Sequence, residues 1–149
     1  MHLLFILFTV LMLDQSSKYF ISHSFHQGQS LPVITNIFHI TYVQNPGAAF
    51  GMLAYRTTFF LAVTVLVIAI ILFVYRKVPV ERKLLRVGLG LQLAGAIGNF
   101  IDRLRLGYVV DFFDFRIWPV FNVADMAIVV GVCLLAVEIL RTPEERKEA

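Results

Sequence analysis

Charge is scarce in this chain. Asp, Glu, Lys and Arg make up 15% of its 149 residues, against 58% hydrophobic residues, and that balance excludes an ordinary water-soluble domain. Cysteine is scarcer still: Cys133 stands alone, so no disulfide can form within the chain. It lies in the apolar run 130–137, where a small buried residue is expected rather than a reactive thiol. No glycine-rich phosphate loop is present, which removes the usual signature of nucleotide chemistry. The formal net charge of +3 needs no nucleic-acid partner, because basic loops that orient a membrane protein account for it. One integral membrane domain over residues 1–149 is the natural reading.

What is present is a set of four apolar stretches, about 3–21, 57–75, 84–103 and 121–140, each near the ~20 residues that a bilayer requires. A cleaved signal peptide is the competing reading of the first. It fits poorly, since no Lys or Arg precedes the run and no small-x-small site follows it. The densest basic segment is Arg76, Lys77, Arg82 and Lys83, with Arg86 just beyond. It marks loop 76–83 as cytoplasmic. Both termini then lie in the cytoplasm and loops 22–56 and 104–120 lie outside. Lys and Arg divide eight inside against four in the outer loops.

The first outer loop is punctuated by Gly28, Pro32, Asn36, Pro46 and Gly47. Residues 38–43 read as a strand by residue type and partial alternation, and Asn45-Pro46-Gly47 as a turn. The small residues of Ala48-Ala49-Phe50-Gly51 would let a backbone approach closely. His23 and His26 read as loop residues, without the third ligand a zinc site needs, and no metal or cofactor is expected. In the third span Gly90, Ala94 and Gly98 form a ridge for close helix packing. Gln92, Gly95, Asn99 and Asp102 share a neighbouring face that should look inward.

With this topology the polar groups of three spans converge near the outer interface: Asp14 and Lys18, then Asn99, Asp102 and Arg103, then Asn122 and Asp125. Asp14 and Lys18 are four apart and can pair on one helix face, either as a structural ion pair or next to a site. Asp102 is followed by Arg103, and Asp114 has Arg116 two positions on, so an adjacent guanidinium would hold each carboxylate ionised. Asp111 and Asp125 have no basic neighbour in sequence. Burial and mutual repulsion would leave one of them protonated, as an acid/base pair needs. A buried structural hydrogen-bond network is the bland alternative. A Ser17–Lys18 dyad is disfavoured, because adjacent helix residues diverge by about 100 degrees. Mg²⁺-assisted phosphoryl transfer is disfavoured by acids that lie outside the cytoplasm.

Five segments resemble lipoprotein signal peptidase, the signal peptidase II family, and they occur in family order. They are Asp14-Gln15-x-x-Lys18, Asn45-Pro46-Gly47-Ala48-Ala49-Phe50-Gly51, Gly95-Ala96-Ile97-Gly98-Asn99-Phe100-Ile101-Asp102-Arg103, Val109-Val110-Asp111-Phe112 and Phe121-Asn122-Val123-Ala124-Asp125. The resemblance implies a mainly α membrane protein, with four transmembrane helices and a small extracytoplasmic β-rich cradle. It implies an aspartic endopeptidase of the bacterial cytoplasmic membrane, with its site at the outer face. Such an enzyme cuts diacylglyceryl-modified prolipoproteins just before the lipidated cysteine. Asp111 and Asp125 match the family's catalytic pair. Asp14, Lys18, Asn45, Gly47, Asn99, Asp102, Arg103, Asn122 and Ala124 match positions that support the pair or line the site. Globomycin-like cyclic peptides inhibit the family, and membrane lipids are the remaining partners. The segment between the two aspartates departs from the family pattern by a few missing residues, which bears on the cradle rim rather than on the pair. A small proton-coupled transporter subunit using the same intramembrane acids is the alternative from another class.

Overall fold

The computed structural model describes residues 2–47 and 56–141. Ala48-Ala49-Phe50-Gly51 and the charged tail beyond Arg141 lie outside the described residues. Four helices are long and apolar enough to cross a membrane. They are α1 (His2–Ser24), α2 (Thr57–Lys77), α3 (Lys83–Leu106) and α4 (Val123–Arg141). Three strands, β1 (Ser30–Ile34), β2 (Phe38–Asn45) and β3 (Val109–Asp114), form one antiparallel sheet in the order β1-β2-β3.

The hub of the bundle is α3. Half of its most apolar window is buried, against 6% for α2, so most α2 residues are exposed while α3 packs on every other helix. The sequence explains the difference, since α3 alternates large side chains with small ones. A methyl group added at Gly95 would land on the carbonyl oxygen of Ala124 in α4, and one added at Gly88 would come within 2.8 Å of the Gly131 carbonyl oxygen. These glycines let two backbones touch. The predicted ridge of Gly90, Ala94 and Gly98 meets α1 instead: Gly90 faces Leu3 and Ile6, and Gly98 faces the Asp14 carboxylate. Ile71, Tyr75, Leu89 and Leu93 close the seam between α2 and α3.

The sheet covers one end of this bundle. Helix α3 stops at Gly107, whose φ of 82° is left-handed and whose N–H donates to the Arg103 carbonyl at 3.1 Å; glycine takes that conformation without strain. The chain then turns straight into β3. Ile21 of α1, Tyr42 of β2, and Val110 and Phe112 of β3 pack beneath the sheet. Register sets Val43 opposite Asp111 and Asn45 opposite Val109.

Several expectations need correction. The first span is longer than 3–21, and α4 begins at Val123 rather than at 121. The strand expected over 38–43 runs on to Asn45, and strands 30–34 and 109–114 make up the rest of the expected β-rich cradle. In β3, apolar and acidic residues are buried on both faces, so the period-2 pattern that marks a half-buried strand is missing. Cys133 is exposed rather than buried, because its face of α4 looks away from the bundle.

The close contact of α3 with α4 sets a test. Gly95→Ala should cost about 1–3 kcal/mol by overpacking against backbone. Gly90→Ala meets only side-chain ends at 3.3 Å and gains helix propensity, so it should cost less or nothing. Thermal midpoints of the detergent-solubilised variants measure the contrast, and equal midpoints would remove this account of the interface.

Candidate active site

The site is built where the sheet meets three helix ends. Its foundation is Lys18, buried in α1. The ammonium group lies 2.9 Å from Asp14 Oδ2, 3.0 Å from Asp102 Oδ2 and 3.0 Å from Asn99 Oδ1. All three of its N–H donors therefore have an acceptor. Asp14 is fully buried and accepts the backbone N–H of Ala124 at 2.9 Å through Oδ1, which ties α1 to the first turn of α4. Asp102 accepts the backbone N–H of Val110 at 3.1 Å through Oδ2, which ties α3 to β3. Gln15 joins the two carboxylates with contacts of 3.0 Å to each.

The start of α4 is a reciprocal cap. Asn122 Oδ1 accepts the Asp125 N–H at 3.0 Å, and Asp125 Oδ2 accepts the Asn122 N–H at 3.2 Å. This is the capping-box arrangement, with aspartate in place of the usual glutamate. The same two residues also serve the site. Asn122 Nδ2 donates to Asp111 Oδ1 at 2.6 Å and to Asn99 Oδ1 at 3.2 Å, while Asn99 Nδ2 donates to Asp125 Oδ1 at 2.7 Å. Asp111 and Asp125 are thus joined through two amides, of which Asn99 also accepts from Lys18.

Asp111 comes from β3 and receives a second bond, from Asn45 Nδ2 of β2 at 2.9 Å. Asn45 Oδ1 in turn accepts the Gly47 N–H at 3.0 Å, and Arg103 donates to the Gly47 backbone carbonyl at 3.1 Å while its guanidinium lies 5.0 Å over the Phe60 ring. Both aspartates line one cavity of about 190 Å³, together with Asn45, Asn99, Arg103, Trp118 and Phe121. Neither carboxylate takes part in an ion pair among the described residues. Burial pushes the Asp111 carboxyl up to about 7, and the Asp125 charge adds to the rise. The amides of Asn45 and Asn122 and the more distant Lys18 pull the other way. Asp111 therefore holds a proton in part of the population near neutral pH.

A family model described as "Signal peptidase (SPase) II" matches residues 6–141. The chain belongs to the signal peptidase II family. That is a family of aspartic proteases, and membership sets aside the transporter reading. A lipoprotein signal peptidase of Moorella thermoacetica is 62% identical over 131 residues, 88% of this chain and 87% of that protein. One of Pelotomaculum thermopropionicum is 48% identical over 145 residues, 97% of this chain and 95% of that protein. A solved structure described as a bacterial membrane enzyme superposes with a TM-score of 0.91 at 35% identity, covering 99% of this chain and 93% of the other.

Every residue singled out from the signal peptidase II motifs falls at this one junction. One expected pairing differs. Asp102 is paired with Lys18 and not with Arg103, because neighbouring helix positions point about 100 degrees apart; Arg103 turns to the cavity. The expected Asp14–Lys18 pair is present, and Asp102 joins it to make a triad. Asp114 does pair with Arg116, at 3.0 Å. Burial works against its charge, but the Thr41 hydroxyl and the backbone N–H and guanidinium of Arg116 hold it below the ordinary carboxylate range. His23 lies at the exposed end of α1 and bonds to the Tyr19 carbonyl at 2.8 Å. Trp118 and Phe121 of the cavity rim are not among the expected site residues; Phe121 opens the fifth motif, and only its aromatic character marks Trp118.

Lys18→Met should strand two buried carboxylates and cost about 3–5 kcal/mol. Loss of monodisperse protein or a large drop in thermal midpoint is the expected result. A variant as stable as the parent would show that the triad does not hold the site together.

Proposed function

We propose that this chain removes signal peptides from diacylglyceryl-modified bacterial prolipoproteins, cutting on the N-terminal side of the lipidated cysteine, with Asp111 and Asp125 as the catalytic pair. The shared cavity carries the reading: the buried Asp111 and the half-buried Asp125, with no cation bonded to either among the described residues, open onto one space where the helices end. A substrate held by acyl chains needs its scissile bond cut at the lipid–water boundary, where helix ends of a spanning bundle lie. The basic residues of loop 76–83 favour the cytoplasmic side for that end, which leaves the sheet and the aspartates on the outer face of the cytoplasmic membrane.

In this reading the pair shares one proton. Asp125 takes a proton from water as the water oxygen attacks the peptide carbonyl carbon, and Asp111 gives its proton to the carbonyl oxygen. On collapse of the tetrahedral intermediate Asp125 gives its proton to the leaving amine, the C–N bond breaks, and one hydroxyl proton of the intermediate returns to Asp111 as the new carboxyl group forms. Asn99 and Asn122 hold both carboxylates in place through these steps, so the geometry is prepared before substrate arrives. Asp14, Lys18, Asp102 and the Ala124 N–H fix the two amides. Arg103, through Gly47, orients the segment after β2, and Asn45 sets the Asp111 rotamer. Globomycin-like cyclic peptides would compete for the same cavity.

Asp111→Asn and Asp125→Asn should each lower cleavage of a lipidated prolipoprotein peptide by about 10³-fold or more, with thermal midpoints close to the parent. Retained cleavage in either variant removes this mechanism.

The pH profile supplies a separate check. kcat/KM should fall as pH rises through about 7, where the proton leaves Asp111. The Asn45 amide favours the ionised form of Asp111, so Asn45→Ala should move that limb to higher pH. A shift to lower pH would contradict the assignment.

A further inference from the structure

A second and larger cavity, about 630 Å³, opens at the opposite end of the bundle. Its walls are apolar: Leu3 and Ile6 of α1, Tyr75 of α2 and Val87 of α3. Two cations stand at its edge, Lys83 and Arg86. Arg86 is fixed there, since Nη1 donates to the Val78 carbonyl at 2.8 Å and the guanidinium lies 4.2 Å over the Tyr75 ring. Among the described residues one donor of five is used in that bond, and the rest remain for a ligand. The Lys83 side chain is exposed, with no hydrogen bond or ion pair among the described residues. Of the acids nearby, Glu138 is held by Arg82 at 3.2 Å, and Glu81 is exposed in the loop. This end is therefore strongly positive beside an apolar hollow. From Lys83 to Asp102 along α3 is about 28 Å at ~1.5 Å per residue, so the hollow has no part in the aspartate site.

We infer that this cavity is a binding site for one anionic phospholipid, with an acyl chain along Leu3, Ile6 and Val87 and the headgroup phosphate at Lys83 and Arg86. The volume is in the range of about 300–1,000 Å³ that holds small ligands. Basic pockets between spanning helices take anionic headgroups. A zwitterionic lipid would fill the apolar part but bring its own cation toward Arg86. This places one of the membrane-lipid contacts without depending on the proposed peptidase mechanism. Only its assignment to the cytoplasmic leaflet rests on the orientation argued above.

Native mass spectrometry of the full chain, released from nanodiscs of equal phosphatidylglycerol and phosphatidylcholine, tests the site. Nanodiscs expose both leaflets alike, so the result is independent of orientation. The parent chain should retain one phosphatidylglycerol in preference to phosphatidylcholine. Lys83→Gln should reduce that preference about fivefold. Ile6→Trp, which fills the hollow and leaves every charge, should abolish the retained lipid. Both variants should keep full cleavage of a lipopeptide in detergent, which separates this outcome from any failure of the peptidase reading. Equal retention of the two lipids by the parent overturns the proposal. So does an effect of Lys83→Gln without one of Ile6→Trp, since that pattern belongs to surface charge alone.

Discussion

The buried ammonium of Lys18 is the constraint on which the rest of this structure depends. A lone charge inside a spanning helix is costly. Here it is balanced by two carboxylates from different helices, and each carboxylate spends its remaining lone pairs on backbone N–H groups that start other elements. Asp14 holds the first turn of α4, and Asp102 holds β3. The ion cluster is therefore less a source of stability than of position, since a buried ion triad can often be replaced by apolar residues at little cost. What apolar residues cannot do is fix where α4 and β3 begin, and each of those elements delivers one aspartate.

Amides carry this order from the ions to the aspartates. Asn99 takes a bond from Lys18 and gives one to Asp125; Asn122 gives one to Asp111 and caps the helix that holds Asp125. An amide donates without adding charge, so it can orient a carboxylate while leaving its proton available. A lysine or arginine in either place would hold the aspartate ionised. Lys18 is kept one layer back, and the side chains that bond the two aspartates are neutral amides; Arg103 lines the cavity without an ion pair to either among the described residues. This separation is the physical reason the chain can be both well ordered and poised to move a proton.

Much of this was legible from residues alone, for identifiable reasons. α2 is apolar without interruption, and its limits are nearly those read from hydropathy. The Asp14–Lys18 pair follows from a spacing of four on one helix. Asn122 and Asp125 stand at the opening of the fourth apolar run, which places both near one helix end. What could not be read was long-range. Asp111 sits on a strand whose partner β2 is some 70 residues earlier in sequence, and no local pattern marks V-V-D-F-F-D as that strand. Asp102 takes its cation from α1 and not from the next residue, a choice made by helix phase and packing. Cys133 was misplaced because an apolar run has two faces, and in a membrane the outward one is as apolar as the inward.

The central claim is that the two aspartates share a proton whose place is set by buried neutral donors. Infrared difference spectroscopy of the solubilised chain, titrated from below to above pH 7, measures it directly. The account predicts one protonated carboxyl band that titrates near the value of about 7 given for Asp111 and is absent from Asp111→Asn. No such band, or one that persists in that variant, would contradict it.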